Sequence, residues 1–118
     1  MSSILNDTKR LLGIEPDVTD FDQELILHIN SVMMILTQLG VAPRGFQIAD
    51  SLDEWEDMNA EIEEIPAVKT YVFLRVRKLF DPPTGGLLTA SDETMKELEI
   101  RIKDDIEFNY EEVDKDEN

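Results

Sequence analysis

The sequence predicts an all-α fold, a small bundle of about four helices with an extended acidic C-terminal tail. Three observations predict it. Apolar residues recur at three- and four-residue spacings, prolines and glycines fall between those stretches, and the one segment with strand-like alternation carries helix-terminal chemistry at both ends. With 118 residues, 42 % of them apolar, the chain has material for one core and not for two. We divide it into a helical domain, residues 1–106, and a tail, residues 107–118, that alone buries too little to order itself and orders only on binding.

Residues 3 to 12 form the first helix. Ser3 caps it, Ile4, Leu5, Leu11 and Leu12 share a face, and Gly13 supplies the left-handed stop. A linker, EPDVTD, follows. Thr19 or Asp20 then caps a helix running to Leu39, with Asp22 and Glu24 at its positive end. Leu25, Ile29, Val32, Leu36 and Leu39 make its apolar stripe, widened by Ile26, Met33 and Met34, and Gly40 ends it. Residues 41–49 read as a loop with Phe46 tucked back onto the core. From Asp50 to Glu64 eight acids occur with no base, and Leu52, Trp55, Met58 and Ile62 are spaced for one or two irregular helical turns.

The segment 66–80, PAVKTYVFLRVRKLF, alternates at Val72, Leu74 and Val76 as a strand would. Helix is preferred. Pro66 suits a first turn, Glu63 and Glu64 precede it, Arg75, Arg77 and Lys78 oppose the dipole at its end, and Ile65, Val68, Val72, Val76 and Leu79 form one stripe. Asp81, Pro82 and Pro83 terminate it, and Gly85 and Gly86 form a turn. A last helix, capped by Ser91, carries Met95, Leu98, Ile102 and Ile106 inward and the pairs Glu97–Arg101 and Glu99–Lys103 outward.

Composition excludes several function classes. Without cysteine there are no disulfides, thiolate metal sites or cysteine nucleophile, and His28 as the sole histidine leaves no basis for a zinc site or a serine triad. No metal or other cofactor is expected. A net charge of −16 opposes any binding that works by neutralising phosphates. No apolar run is long enough to span a bilayer, and the N-terminus lacks the layout of a secretion signal, so a soluble chain with no membrane contact is expected.

The chemical candidates are thin. Asp53, Glu54, Glu56 and Asp57 lack the loop pattern of a calcium site and read as a solvated face, and Gly85 and Gly86 lack every other part of a phosphate loop. Met33, Met34, Met58 and Met95 read as gap fillers in a small core. Trp55, set in the most acidic stretch, is either core or an interface anchor. Lys69, Arg75, Arg77 and Lys78 gather the chain's positive charge on one helix. They either compensate the dipole and form internal ion pairs or meet the acidic face of another copy, so with Trp55 they are the candidate subunit interface. The tail, with Phe108, Tyr110 and Val113 among Glu111, Glu112 and Asp114, is either a solubilising extension or a clamp that folds on a partner.

Two stretches, SILNDTKRLLGI followed by FDQELILHINSVMMILTQLGV, and VKTYVFLRVRKLFDPP followed by ELEIRI, resemble the small head-tail connector or adaptor proteins of long-tailed double-stranded DNA bacteriophages of Gram-positive bacteria. The likeness spans roughly residues 3–106 and rests on the order of segments, LFDPP being the most distinctive. It implies a helical bundle with no enzymatic activity that assembles as a ring, usually of twelve copies, beneath the portal protein in the virion neck. It also implies a C-terminal segment gripping the portal, a stopper or tail-completion protein on the opposite face, and a genome that passes through the bore without specific binding. On this chain the clamp is Glu107–Asn118, and residues 41–50 and 81–90 are candidate contacts with ring neighbours or the downstream partner. One departure stands out. Residues 104–118 hold eight acids against one lysine, so the portal would have to offer a basic or hydrogen-bonding receptor.

The charge fits such a conduit independently, since twelve chains would carry on the order of −190 and repel phosphates rather than hold them. The same repulsion predicts a monomer or weak oligomer in solution. A rival reading from composition is an acidic DNA mimic that inhibits a host DNA-binding enzyme. Such a mimic wants carboxylates spaced like phosphates on one rigid face, whereas here they concentrate in 50–64 and the tail. A nucleotide-handling enzyme with an acidic metal site is a third, and its acid pairs, Asp104 with Asp105 and Glu111 with Glu112, fall where order fails.

Overall fold

The computed structural model describes the backbone of residues 2–116 and the side chains of residues 2–108. The elements are α1 (Ile4–Leu11), α2 (Asp22–Gln38), a single turn α3 (Trp55–Met58), a 3-10 turn at Ile62–Glu64, α4 (Ala67–Phe80) and α5 (Gly86–Asp116). Among the described residues there is no strand; one antiparallel bridge joins Ser3 to Glu54. The helical class is therefore as expected, and the ambiguous 66–80 segment is a helix.

Local chemistry sets the ends. Ser3 Oγ accepts from the Asn6 amide at 3.1 Å, capping α1. Gly40, with φ at +87°, ends α2 in the left-handed region, and a β-carbon there would sit 3.3 Å from Ile106 of α5. At the start of α2 neither Thr19 nor Asp20 caps; Phe21 occupies that position with no side-chain bond to the backbone. The start of α5 also differs from expectation. Gly85, with φ at +60°, makes the turn, and helical bonding begins at Gly86, where the Leu88 amide donates to the Gly85 carbonyl. Residues Leu87 to Ala90 thus join the helix and Ser91 lies inside it.

The core sits among α1, α2, α4 and α5. Leu25, Ile29, Val32, Met33 and Leu36 of α2 meet Val68, Tyr71, Val72 and Val76 of α4, with Ile4 and Leu5 of α1 and Met95 and Ile102 of α5 closing it. Phe46 packs back onto the core and Ile48 is buried, held by Asn30, which donates to the Ile48 carbonyl and accepts from its amide. Four expected core positions lie outside it. Leu11, Met34, Leu52 and Leu79 are all exposed. In α1 the inward face is completed instead by Thr8 and Lys9, and in α4 by Tyr71.

Candidate assembly surfaces

The basic helix is used first inside the protomer. Arg75 donates from Nη2 to Glu99 Oε1 at 2.9 Å and from Nε to the Tyr71 hydroxyl at 3.0 Å, and the Tyr71 hydroxyl donates to the same Glu99 oxygen. One turn on, Lys78 Nζ donates to Asp92 at 2.8 Å. These bonds tie α4 to α5 as an antiparallel pair. Burial, reinforced by the Glu99 carboxylate, pushes the Tyr71 hydroxyl up to about 12. Burial also pushes Glu99 up, but its hydrogen bonds from Tyr71 and Arg75 outweigh this and hold it below its ordinary range.

Lys69 is placed differently, its Nζ lying 5.5 Å from the centre of the Trp55 ring. Arg77 is exposed and has no carboxylate within ion-pair distance among the described residues. Of the four bases expected at a subunit interface, then, Arg75 and Lys78 close an internal seam, Lys69 covers a tryptophan, and Arg77 alone is unengaged.

Trp55 requires a correction as an interface anchor. It is only 2 % exposed, and its Nε1 donates to Asp7 Oδ2 at 2.9 Å, so it belongs to the protomer's core and presents no surface to a neighbour. Its position beside α1 follows from backbone pairing, because the Trp55 amide donates to the Ser2 carbonyl and the Ile4 amide to the Asp53 carbonyl. The expected outer pair Glu99–Lys103 does not form, since Glu99 turns to Arg75; Glu97–Arg101 does, at 2.7 Å.

Among the described residues, shallow apolar surfaces interrupt the charged exterior. Leu12, Ile14, Phe21 and Phe80 line one, the two phenyl rings 5.4 Å apart at 51°. Met34 and Phe46 border a second, beside the 44–47 loop. A third is a groove between α2 and α4, about 230 Å³, floored by Val32, Ile35 and Leu79 and edged by Arg75 and Lys78. Leu52, 81 % exposed, stands apart from all of them on the acidic turn. On the tail, Phe108 is exposed just beyond the last inward residue, Ile106; the side chains of Tyr110, Glu111, Glu112, Val113 and Asp114 lie outside the described residues, as does the expectation that the tail orders on binding. No group of three or more His, Asp or Glu side chains that could hold a metal occurs among the described residues, and no described helix is long and apolar enough to cross a membrane.

A helical bundle whose ion pairs close its own seams, and whose grooves and exposed leucines face outward, defines a class of packing unit. The chain belongs to the phage connector protein family, whose profile matches residues 4–109, nearly the whole chain. It is accordingly a structural virion component with a connecting role. The searches of curated proteins and of solved structures each return no significant match.

Proposed function

We propose that the chain is a head-tail connector, or adaptor, of a long-tailed double-stranded DNA phage of a Gram-positive host. Copies form a ring, twelve in number, between the portal and the stopper or tail-completion protein, and the genome leaves through the bore. The observation that carries this reading is the family match, continuous from α1 to Asn109 in α5. The net charge of −16 supports it, because a wall of such protomers lets DNA slide without holding its phosphates.

The residues take these roles. Phe108, with Tyr110, Val113, Glu111, Glu112 and Asp114, would form the portal clamp and meets a basic or hydrogen-bonding surface there. Arg77, exposed on α4, would be available to a ring neighbour alongside the donors that Arg75 and Lys78 leave free. The protein requires no cofactor and no membrane.

Electron microscopy of the purified chain mixed with its own portal tests the reading. A ring of added density below the portal is expected, and an unchanged portal overturns it. Capture of a host DNA-binding enzyme in preference to the portal would instead establish the DNA-mimic alternative.

A further inference from the structure

Leu52 is displayed by design of the backbone around it. The Asp53 carboxylate accepts from the amides of Ala49 and Asp50, at 2.6 and 3.2 Å, and Asp50 accepts from the Leu52 amide at 2.8 Å. The Asp53 carbonyl is in turn held by the Ile4 amide at 3.0 Å. A turn pinned on both sides cannot fold its leucine inward, so the side chain stays 81 % exposed between acids.

The groove between α2 and α4 has the opposite character. Its floor is apolar, and its edge carries Arg75 and Lys78, each about a third or more exposed. Lys78 uses one N–H on Asp92, and Arg75 uses Nε and Nη2 internally, so both keep donors for a further carboxylate.

The two features lie on different flanks of the protomer. Asn30 of α2 binds the loop that leads to Leu52, whereas Ser31 and Ile35, about 100–140° further round the helix, line the groove. Exposed Leu27 and Met34 separate them. Complementary surfaces on separate flanks make a head-to-tail contact, which closes into a ring when the rotation permits.

We propose that Leu52 of one copy seats in the α2–α4 groove of the next, with Asp50 and Glu54 meeting Lys78 and Arg75. This rests on the ring reading above and assigns the two faces it needs.

The cysteine-free chain permits a direct test. Ser31 at the groove and Ser51 beside the leucine are both exposed, and a double variant, Ser31→Cys with Ser51→Cys, is oxidised at high protein concentration. A ladder of dimers, trimers and larger species is expected, whereas each single variant stops at dimers. Adding Leu52→Asp, which touches no core residue, should lower the ladder at least tenfold, while a synthetic peptide of residues 107–118 should leave it intact. A double variant that stops at dimers, a ladder that survives Leu52→Asp, or one abolished by the peptide overturns the proposal, the last by giving the groove to the tail. A portal-bound ring seen by microscopy without the ladder rejects this contact alone. A ladder with an unchanged portal rejects the connector reading and keeps the contact.

Discussion

The Nζ of Lys9 lies 2.7 Å from Oδ1 of Asp22 and 2.9 Å from the carbonyl oxygen of Pro16, and the lysine is fully buried. One cation therefore holds α1, the linker and the first turn of α2 together. Replacing Lys9 by Met keeps the volume and leaves Asp22 and the Pro16 carbonyl without their donor. Because Asp22 retains some access to water, we expect a loss of about 1–3 kcal/mol, below that for a fully enclosed pair. Urea titration checks this; a change under about 0.5 kcal/mol would show that the pair is only a packing contact.

Trp55 and Leu52 should separate sharply on truncation. Trp55→Ala opens the core and costs about 3–5 kcal/mol, and Trp55→Phe, which loses mainly the bond to Asp7, about 1–2 kcal/mol. Leu52→Ala stays within about 0.5 kcal/mol for the isolated protomer. Comparable losses at both positions in denaturant titrations would contradict the placement of the acidic turn.

Gly40 and Gly13 share a left-handed φ, at +87° and +81°, but not their surroundings. Alanine at Gly13 meets open space and carries only the backbone strain, about 1 kcal/mol. At Gly40 the added methyl also crowds Ile106, so about 1–3 kcal/mol is expected, with loosening of α5. Thermal melts of the two variants give the comparison, and equal shifts would remove Ile106 from the account.

The Tyr71–Glu99 bond couples stability to pH at both extremes. Tyr71 titrates at 10 in an unfolded chain and at about 12 here, chiefly through burial, so its contribution is full below pH 10 and disappears as pH rises towards 12. Glu99 is lowered from 4.5, so its contribution is full above that pH and disappears as pH falls through the folded value. Tyr71→Phe should flatten the alkaline limb of a stability–pH profile. An unchanged alkaline limb would place the transition elsewhere.

In solution, protomers of like charge should remain monomers or weak oligomers at moderate salt, as sedimentation will show. A stable free ring under those conditions would mean that the contacts outweigh the repulsion without a template.

Periodicity made α2 and α4 legible because their buried faces are built from aliphatic residues at regular spacing. Elsewhere the signal failed for identifiable reasons. The 52–55–58–62 spacing is met by two short turns that bury Trp55, Met58 and Ile62, and it misleads only at Leu52, because Asp50 and Asp53 capture amides of the preceding loop and leave that side chain outside. Two adjacent glycines read together as a turn, although only Gly85 needs the left-handed region and Gly86 opens α5. Lys9 was invisible as core because charge in a sequence reads as surface; its partner Asp22 looked like a dipole acid. For the assembly surfaces, the sequence singled out Arg77 along with three bases that the α4–α5 seam and Trp55 already engage, while the groove, which depends on two helices meeting, had no linear signature.

The bridge between Ser3 and Glu54 divides the docking of α1 into a near contact and a distant one. α1 meets α2 over a short stretch of chain, through Lys9 and Asp22, but its pairing with the acidic turn closes a loop of some fifty residues. Marginal by itself at eight residues, α1 is fully locked only when that second contact and α4 are in place. A bridge closed over so long a loop is a late latch, and loosening it would fray α1 before it disturbed the α2–α4 core.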